Sequence, residues 1–188
     1  MDPMIWAETI DPLVDTLSQI IPEQREILTA NAAAYRTQLI ALDGYSKEVL
    51  SSVPSESAIL VTAHDAFAYF GVAYGFDVTG VQGISTNSEA GLYRIVELVD
   101  LLVSRNVSAV FIESSVSDRN IRALIEGAAA KGHTVLLGGE LFSDALGLGG
   151  SYEGTYIGMI DHNVTTIAKA LGGIAPERGW QNKLGSDT

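Results

Sequence analysis

The sequence predicts an α/β protein: a doubly wound, mainly parallel four-stranded sheet flanked by helices, with one long helix ahead of it. Three observations predict this. Four short apolar runs, AILVTA (58–63), VTGVQ (78–82), SAVFIE (108–113) and HTVLLG (133–138), have the length and β-branched content of buried strands. Helical stretches over 67–74, 88–105 and 118–131 separate them, and that alternation favours parallel pairing through right-handed crossovers. Before residue 57 the period differs. Leu28, Tyr35, Leu42 and Val49 recur every seven residues, with Ala32, Leu39 and Val53 beside them, as one continuous helical stripe.

Taken in order, Asp2-Pro3 reads as an N-cap followed by proline at the first helical position. Ile5, Trp6, Ile10, Leu13, Val14, Leu17 and Ile20 follow near helical spacing, with Pro12 marking a kink or a restart. Pro22-Glu23 opens a second helix that runs to Pro54; about 30 helical residues span roughly 45 Å. That helix is open to two readings, an amphipathic helix packed on its own core or a stiff rod joining two lobes. Asn87-Ser88-Glu89 and Ser117-Asp118 supply caps for later helices, and Gly75 and Gly132 end two of them. A last helix covers 155–171, and the segment GGIAPERGWQNKLGSDT, rich in turn residues, is expected as a loosely attached tail. The chain thus divides into a leading helix (1–21), the long helix (22–54), an α/β lobe (55–172) and the tail (173–188).

A length of 188 residues suffices for one sizeable core. The formal net charge is −12, from 11 Lys plus Arg against 23 Asp plus Glu, and such a surface repels phosphate backbones, which disfavours nucleic acid as a partner. Absence of cysteine excludes disulfides, thiolate catalysis, cysteine-ligated zinc and iron–sulfur clusters. No apolar run approaches the roughly 20 residues of a membrane span. Met1-Asp2-Pro3 is not a basic segment followed by an apolar core, so no signal peptide is expected within the chain.

In open parallel sheets, ligands bind beyond the carboxyl ends of the strands, where loops and helix starts gather. The polar residues fall there. His64-Asp65 follow the first strand, residues 82–87 (QGISTN) the second, Glu113-Ser114-Ser115 the third and residues 140–144 (ELFSD) the fourth. An imidazole with a carboxylate suits zinc or manganese. Each residue also has a structural reading. His64 could be a satisfied core or capping histidine, Asp65 a helix-start residue, Glu113 a solvated strand end, and Asp144 a turn cap. His133, in a helix-to-strand turn at the opposite end, reads as structural, and residues 161–163 (DHN) as the solvated face of the last helix. No nucleophile elbow, P-loop or dinucleotide-binding glycine pattern is present, and Gly138-Gly139 read as turn glycines.

Five segments, VTAHDAFAYFGVAYGF, VQGISTNSEAGL, AVFIESSVSDRNI, GHTVLLGGELFSDALG and EGTYIGMIDHNVTTIAKAL, occur in this order. Together they resemble the C-terminal lobe of metal-ion ABC-transporter substrate-binding proteins, the zinc and manganese receptors of the TroA-like cluster. The resemblance implies two α/β lobes joined by a rigid helix, here 22–53, and one transported ion, Zn(II) or Mn(II), held between them by two side chains from each lobe. The His of the family's HDAF motif falls on His64, and the Asp of its F-[ST]-D motif on Asp144. Glu113 occupies the family's Glu-Ser-Ser segment, which implies a supporting hydrogen-bonding role rather than ligation. Manganese-preferring members often carry Glu in place of that His; this chain keeps His.

On this alignment the other two ligands, the first lobe and the export leader would be expected before Met1. The implied function is capture of the ion in the periplasm or at the outer face of the cell envelope for an ABC permease. It is not an enzymatic one, because a closed cage of protein ligands leaves no position for activated water. Two rivals stand beside it: a Rossmann-like hydrolase or isomerase using His64 and Asp144 as acid and base, and a metal-free interaction module. The long apolar stripe also leads us to expect self-association through the N-terminal helices, which light scattering across a dilution series would register.

Overall fold

Asp2 starts the first helix: its Oδ1 accepts the N–H groups of Met4 (2.8 Å) and Ile5 (3.2 Å), two of the four donors a helix start leaves free. The computed structural model describes residues 1–86 and 91–186. Helix α1 spans Pro3–Glu8 and α2 Ile10–Ile20. The break falls at Thr9, and Pro12 sits in the first turn of α2, where its missing N–H costs no intrahelical bond. A 3₁₀ turn over Pro22–Gln24 leads into α3, Arg25–Leu50, whose 26 residues span about 39 Å.

The stripe on α3 is unevenly covered. Leu39, Leu42 and Val49 are buried, while Leu28, Ala32 and Tyr35 are half-buried. Helix α3 packs on α1, α2, α4 (Ala68–Tyr74) and α7 (Tyr156–Ala170). Trp6 and Leu13 keep 46% and 59% of their surface, so the leading helices do not close over their own apolar residues.

Strands β1 (Ile59–His64), β2 (Asp77–Gln82), β3 (Ala109–Glu113) and β4 (Leu136–Leu141) are all parallel. Backbone hydrogen bonds join them as two ladders, β1–β2 and β3–β4, and β1 lies against β3, giving the spatial order 2-1-3-4. The expected four-stranded sheet therefore has a seam at its centre. Alternation sorts the strand residues between two cores. Ile59, Val61, Ala63 and Val110 pack with α5 (Leu92–Ser104) and α6 (Arg119–Ala130), whereas Leu60, Ala109 and Phe111 share a core with residues of α3, α4 and α7. Helices on both faces make the sheet doubly wound.

Three expectations are corrected. Strand β4 begins three residues after HTVLLG does and is exposed where it starts, with Leu136 62% and Leu137 44% accessible. Gly138 and Gly139 are not turn glycines; they lie inside β4 at a bulge, where Val110 pairs with Leu137 and Phe111 already pairs with Gly139. A Cβ at 138 would stand 2.6 Å from the Phe111 ring, and one at 139 would stand 2.6 Å from Thr166 Cγ2 on α7. The glycine pair thus brings α7 close to β4.

The third correction is the tail, which is docked rather than loose. Both carboxylate oxygens of buried Asp161 on α7 accept the Trp180 N–H at 2.9 Å, and the Tyr152 N–H donates to the Ser186 carbonyl at 2.9 Å. Gly179 has φ +62, and a Cβ there would meet Asp161 Oδ1 at 2.5 Å. Burial raises the Asp161 carboxyl above its ordinary range, a shift opposed by the Trp180 N–H and the Thr165 hydroxyl. Long-range polar anchors leave no periodicity in a sequence, which is why composition suggested a free tail. The caps at residues 87–89 lie outside the described residues; Gly75 (φ +77) and Gly132 (φ +78) end α4 and α6 as expected.

Candidate metal centre

Strand β1 carries His64 to the carboxyl edge of the sheet, and β3 carries Glu113 to the same edge beside it. His64 is 2% exposed and so is Glu113. Glu113 Oε1 accepts the backbone N–H of His64 at 2.8 Å. This side chain closes the end of the seam, where no backbone ladder satisfies that donor. Its other oxygen, Oε2, is 2.8 Å from His64 Nδ1, of hydrogen-bond length though not aligned on the ring N–H.

The far nitrogen of the ring faces outward. His64 Nε2 is 3.2 Å from Asp144 Oδ2, on the loop after β4, and the Asp144 side chain is 62% exposed. The imidazole therefore spans from a carboxylate sealed in the fold to one at the surface.

Local sequence holds this turn in place. The Thr62 hydroxyl donates to the His64 carbonyl at 2.8 Å, and the Asp65 N–H donates to the Gln82 carbonyl at 3.1 Å. That second bond requires β2 to pass tightly beneath the turn. A Cβ at Gly80 would lie 2.5 Å from Asp65 N and 2.6 Å from His64 C, so only glycine fits there. On the other side, the Ser115 and Ser143 hydroxyls are 3.2 Å apart and tie the loop after β3 to the loop after β4.

His64 and Asp144 open into a cleft of about 540 Å³, which Asp65, Trp6, Tyr69 and Tyr156 also line. Trp6 stacks on Tyr156 with ring centroids 4.9 Å apart, forming an apolar part of the cleft wall. Two donors 3.2 Å apart, each about 2.0–2.1 Å from a zinc ion, subtend about 100° at the ion, close to a tetrahedral angle. Among the described residues no group of three or more His, Cys, Asp or Glu is disposed to share an ion.

Of the other residues singled out in the sequence, Asp65 lines the cleft, and the carbonyl of Glu140 lies 2.9 Å from His162 Nε2. His133 Nε2 lies 2.8 Å from the Val107 carbonyl at the opposite end of the lobe, a structural contact. Residues 161–163 do not form a solvated face. Asp161 and Asn163 are buried, at 0% and 1% exposure, and His162 packs on Phe142 with centroids 4.8 Å apart. The signal was helical spacing: Asp161 falls four residues after Ile157 and three before Val164, on the stripe that packs inward. Asn163 also went unread as a participant, although its carboxamide grips the backbone of Phe142.

Residues 1–170 match one protein family, described as zinc-uptake complex component A periplasmic. The manganese-binding lipoprotein MntA of Bacillus subtilis (strain 168) is 49% identical over 167 residues, which cover 89% of this chain and 55% of that protein. The zinc-binding protein TroA of Treponema pallidum (strain Nichols) is 45% identical over 170 residues, covering 90% and 55%. The solved structure of periplasmic zinc binding protein TroA from Treponema pallidum superposes with a TM-score of 0.88 at 45% identity, over 90% of this chain and 61% of that one. The chain spans about half the length of the curated relatives it matches.

Proposed function

The chain belongs to the family of periplasmic zinc-uptake complex component A proteins, and from that premise we propose that it is the C-terminal lobe of the substrate-binding component of an ABC importer for Zn(II) or Mn(II). The feature behind this proposal is the His64 imidazole, backed by Glu113 at 2.8 Å and facing Asp144 at 3.2 Å across an open cleft. Nε2 is the nitrogen donor and an Asp144 oxygen the second donor. Glu113 favours the tautomer with its proton on Nδ1, which leaves the Nε2 lone pair free for an ion.

Neutral imidazole and carboxylate serve both ions. Two donors from one lobe hold an ion weakly; a second lobe supplying two more completes the cage and excludes water, which is how capture becomes selective without catalysis. In this reading α3 is the rigid connection between lobes, and the loaded receptor hands its ion to a permease at the outer face of the membrane. Relatives named as periplasmic proteins or lipoproteins support that location, and among the described residues no helix is long and apolar enough to cross a membrane.

Titration calorimetry of this chain with Zn(II) and with Mn(II) tests the proposal. A saturable one-to-one site that weakens on acidification is expected, because protons compete for both donors. Absence of saturable binding by either ion would overturn it.

A further inference from the structure

We propose that Asn163, in the middle of α7, is a positioning residue that sets the Asp144 loop for metal capture. This rests on the ligand role proposed for Asp144. Strand β4 ends at Leu141, and the next residue, Phe142, no longer has a strand partner for its backbone. Asn163 replaces that partner. Its Oδ1 accepts the Phe142 N–H at 2.9 Å, and its Nδ2 donates to the Phe142 carbonyl at 2.7 Å. A carboxamide carries one donor and one acceptor side by side, as a peptide edge does, and so satisfies both groups of one residue at once. The two contacts fix the peptide planes on both sides of Phe142, and Asp144 follows two residues later.

Several features fit a placed grip better than incidental packing. Asn163 is 1% exposed and stands in a helix interior, where asparagine is a poor helix former. Its reach depends on α7 lying close to β4, the approach that Gly138 and Gly139 permit. Beyond the grip, residues 145–150 (ALGLGG) contain three glycines, and the Asp144 side chain is largely solvated. A loop of that composition does not hold a carboxylate 3.2 Å from an imidazole by itself. His64 needs no such help, since strand β1 and Glu113 already fix it.

A double-mutant cycle on Zn(II) affinity separates positioning from general stability. Asn163→Leu removes the grip at similar volume and is expected to weaken Zn(II) binding by about tenfold, the scale of lost outer-shell partners. In an Asp144→Ala background the same substitution should change affinity less than about twofold, since the group it positions is gone. Should Asn163→Leu fail to fold, Asn163→Ser, too short to reach Phe142, carries the same cycle. The metal-free chain gives an independent reading: the Asp144 amide resonance should broaden or shift in the variant while that of His64 stays in place.

Equal weakening in both backgrounds, no weakening at all, or an unmoved Asp144 resonance would overturn the inference. If Asp144→Ala alone leaves Zn(II) affinity unchanged, the ligand role itself fails, and this proposal falls with it for that distinguishable reason.

Discussion

Replacing His64 with alanine is expected to cost more Zn(II) affinity than the roughly 10–100-fold associated with losing an outer-shell partner, because on the proposed reading an inner donor disappears. Two effects combine in this variant, and a paired substitution separates them. His64 is 2% exposed, so its removal also leaves the Glu113 Oε2 carboxylate oxygen buried without the ring beside it, which destabilises the fold by about 1–3 kcal/mol. Asp144 is 62% exposed at its side chain. Asp144→Ala should therefore lose affinity while its thermal stability stays within about 0.5 kcal/mol of the parent. Calorimetric titration beside thermal melts reads both quantities. Affinity and stability falling in parallel across the two variants would mean that metal binding merely follows foldedness.

Glu113 carries the second large effect, and two substitutions divide its roles. Glu113→Leu keeps the volume and removes the acceptor of the buried His64 backbone N–H at the seam between β1 and β3, together with the carboxylate oxygen beside Nδ1. One orphaned buried donor costs about 1–3 kcal/mol, and in a chain of this size that lowers Tm by roughly 2–12 °C.

Glu113→Gln should act differently. Its oxygen can still accept the His64 N–H, so the seam remains closed. Its amide then faces Nδ1 as a donor, which favours the tautomer with the proton on Nε2, the nitrogen that faces Asp144. Stability should stay near that of the parent while Zn(II) affinity drops about 10–100-fold. A Gln variant binding zinc as tightly as the parent would remove Glu113 from the metal account and leave it a structural residue of the seam.

Much of this arrangement was legible because a parallel sheet converts sequence order into place. Each apolar run announced a strand, and the polar residue ending it had to stand at the carboxyl edge; His64 and Glu113 were found by that rule, while Asp144, in the loop beyond the fourth strand, read equally as a turn cap and was singled out by the family resemblance. What stayed hidden belongs to contacts between elements far apart in sequence. The seam is invisible in the runs, since β1 and β3 are each ordinary apolar strands, and what marks it is a side chain accepting a backbone N–H. Gly138 and Gly139 looked like turn residues because a bulge that lets a helix approach leaves the same composition as a turn. Asp161 and Asn163 looked solvated because polar residues in an amphipathic helix usually are, and only the partners at Trp180 and Phe142 explain their burial. The family resemblance pointed to His64 and Asp144 but carried no information about the grip on Phe142.

Crystals of the chain soaked with Zn(II), with anomalous scattering recorded at the zinc edge, test the central claim most directly. The expected result is one strong peak in the cleft, about 2.0–2.2 Å from both His64 Nε2 and an Asp144 carboxylate oxygen, with water completing the shell. A dominant peak on another group, such as His133 at the opposite end of the lobe, with no density between His64 and Asp144, would contradict it.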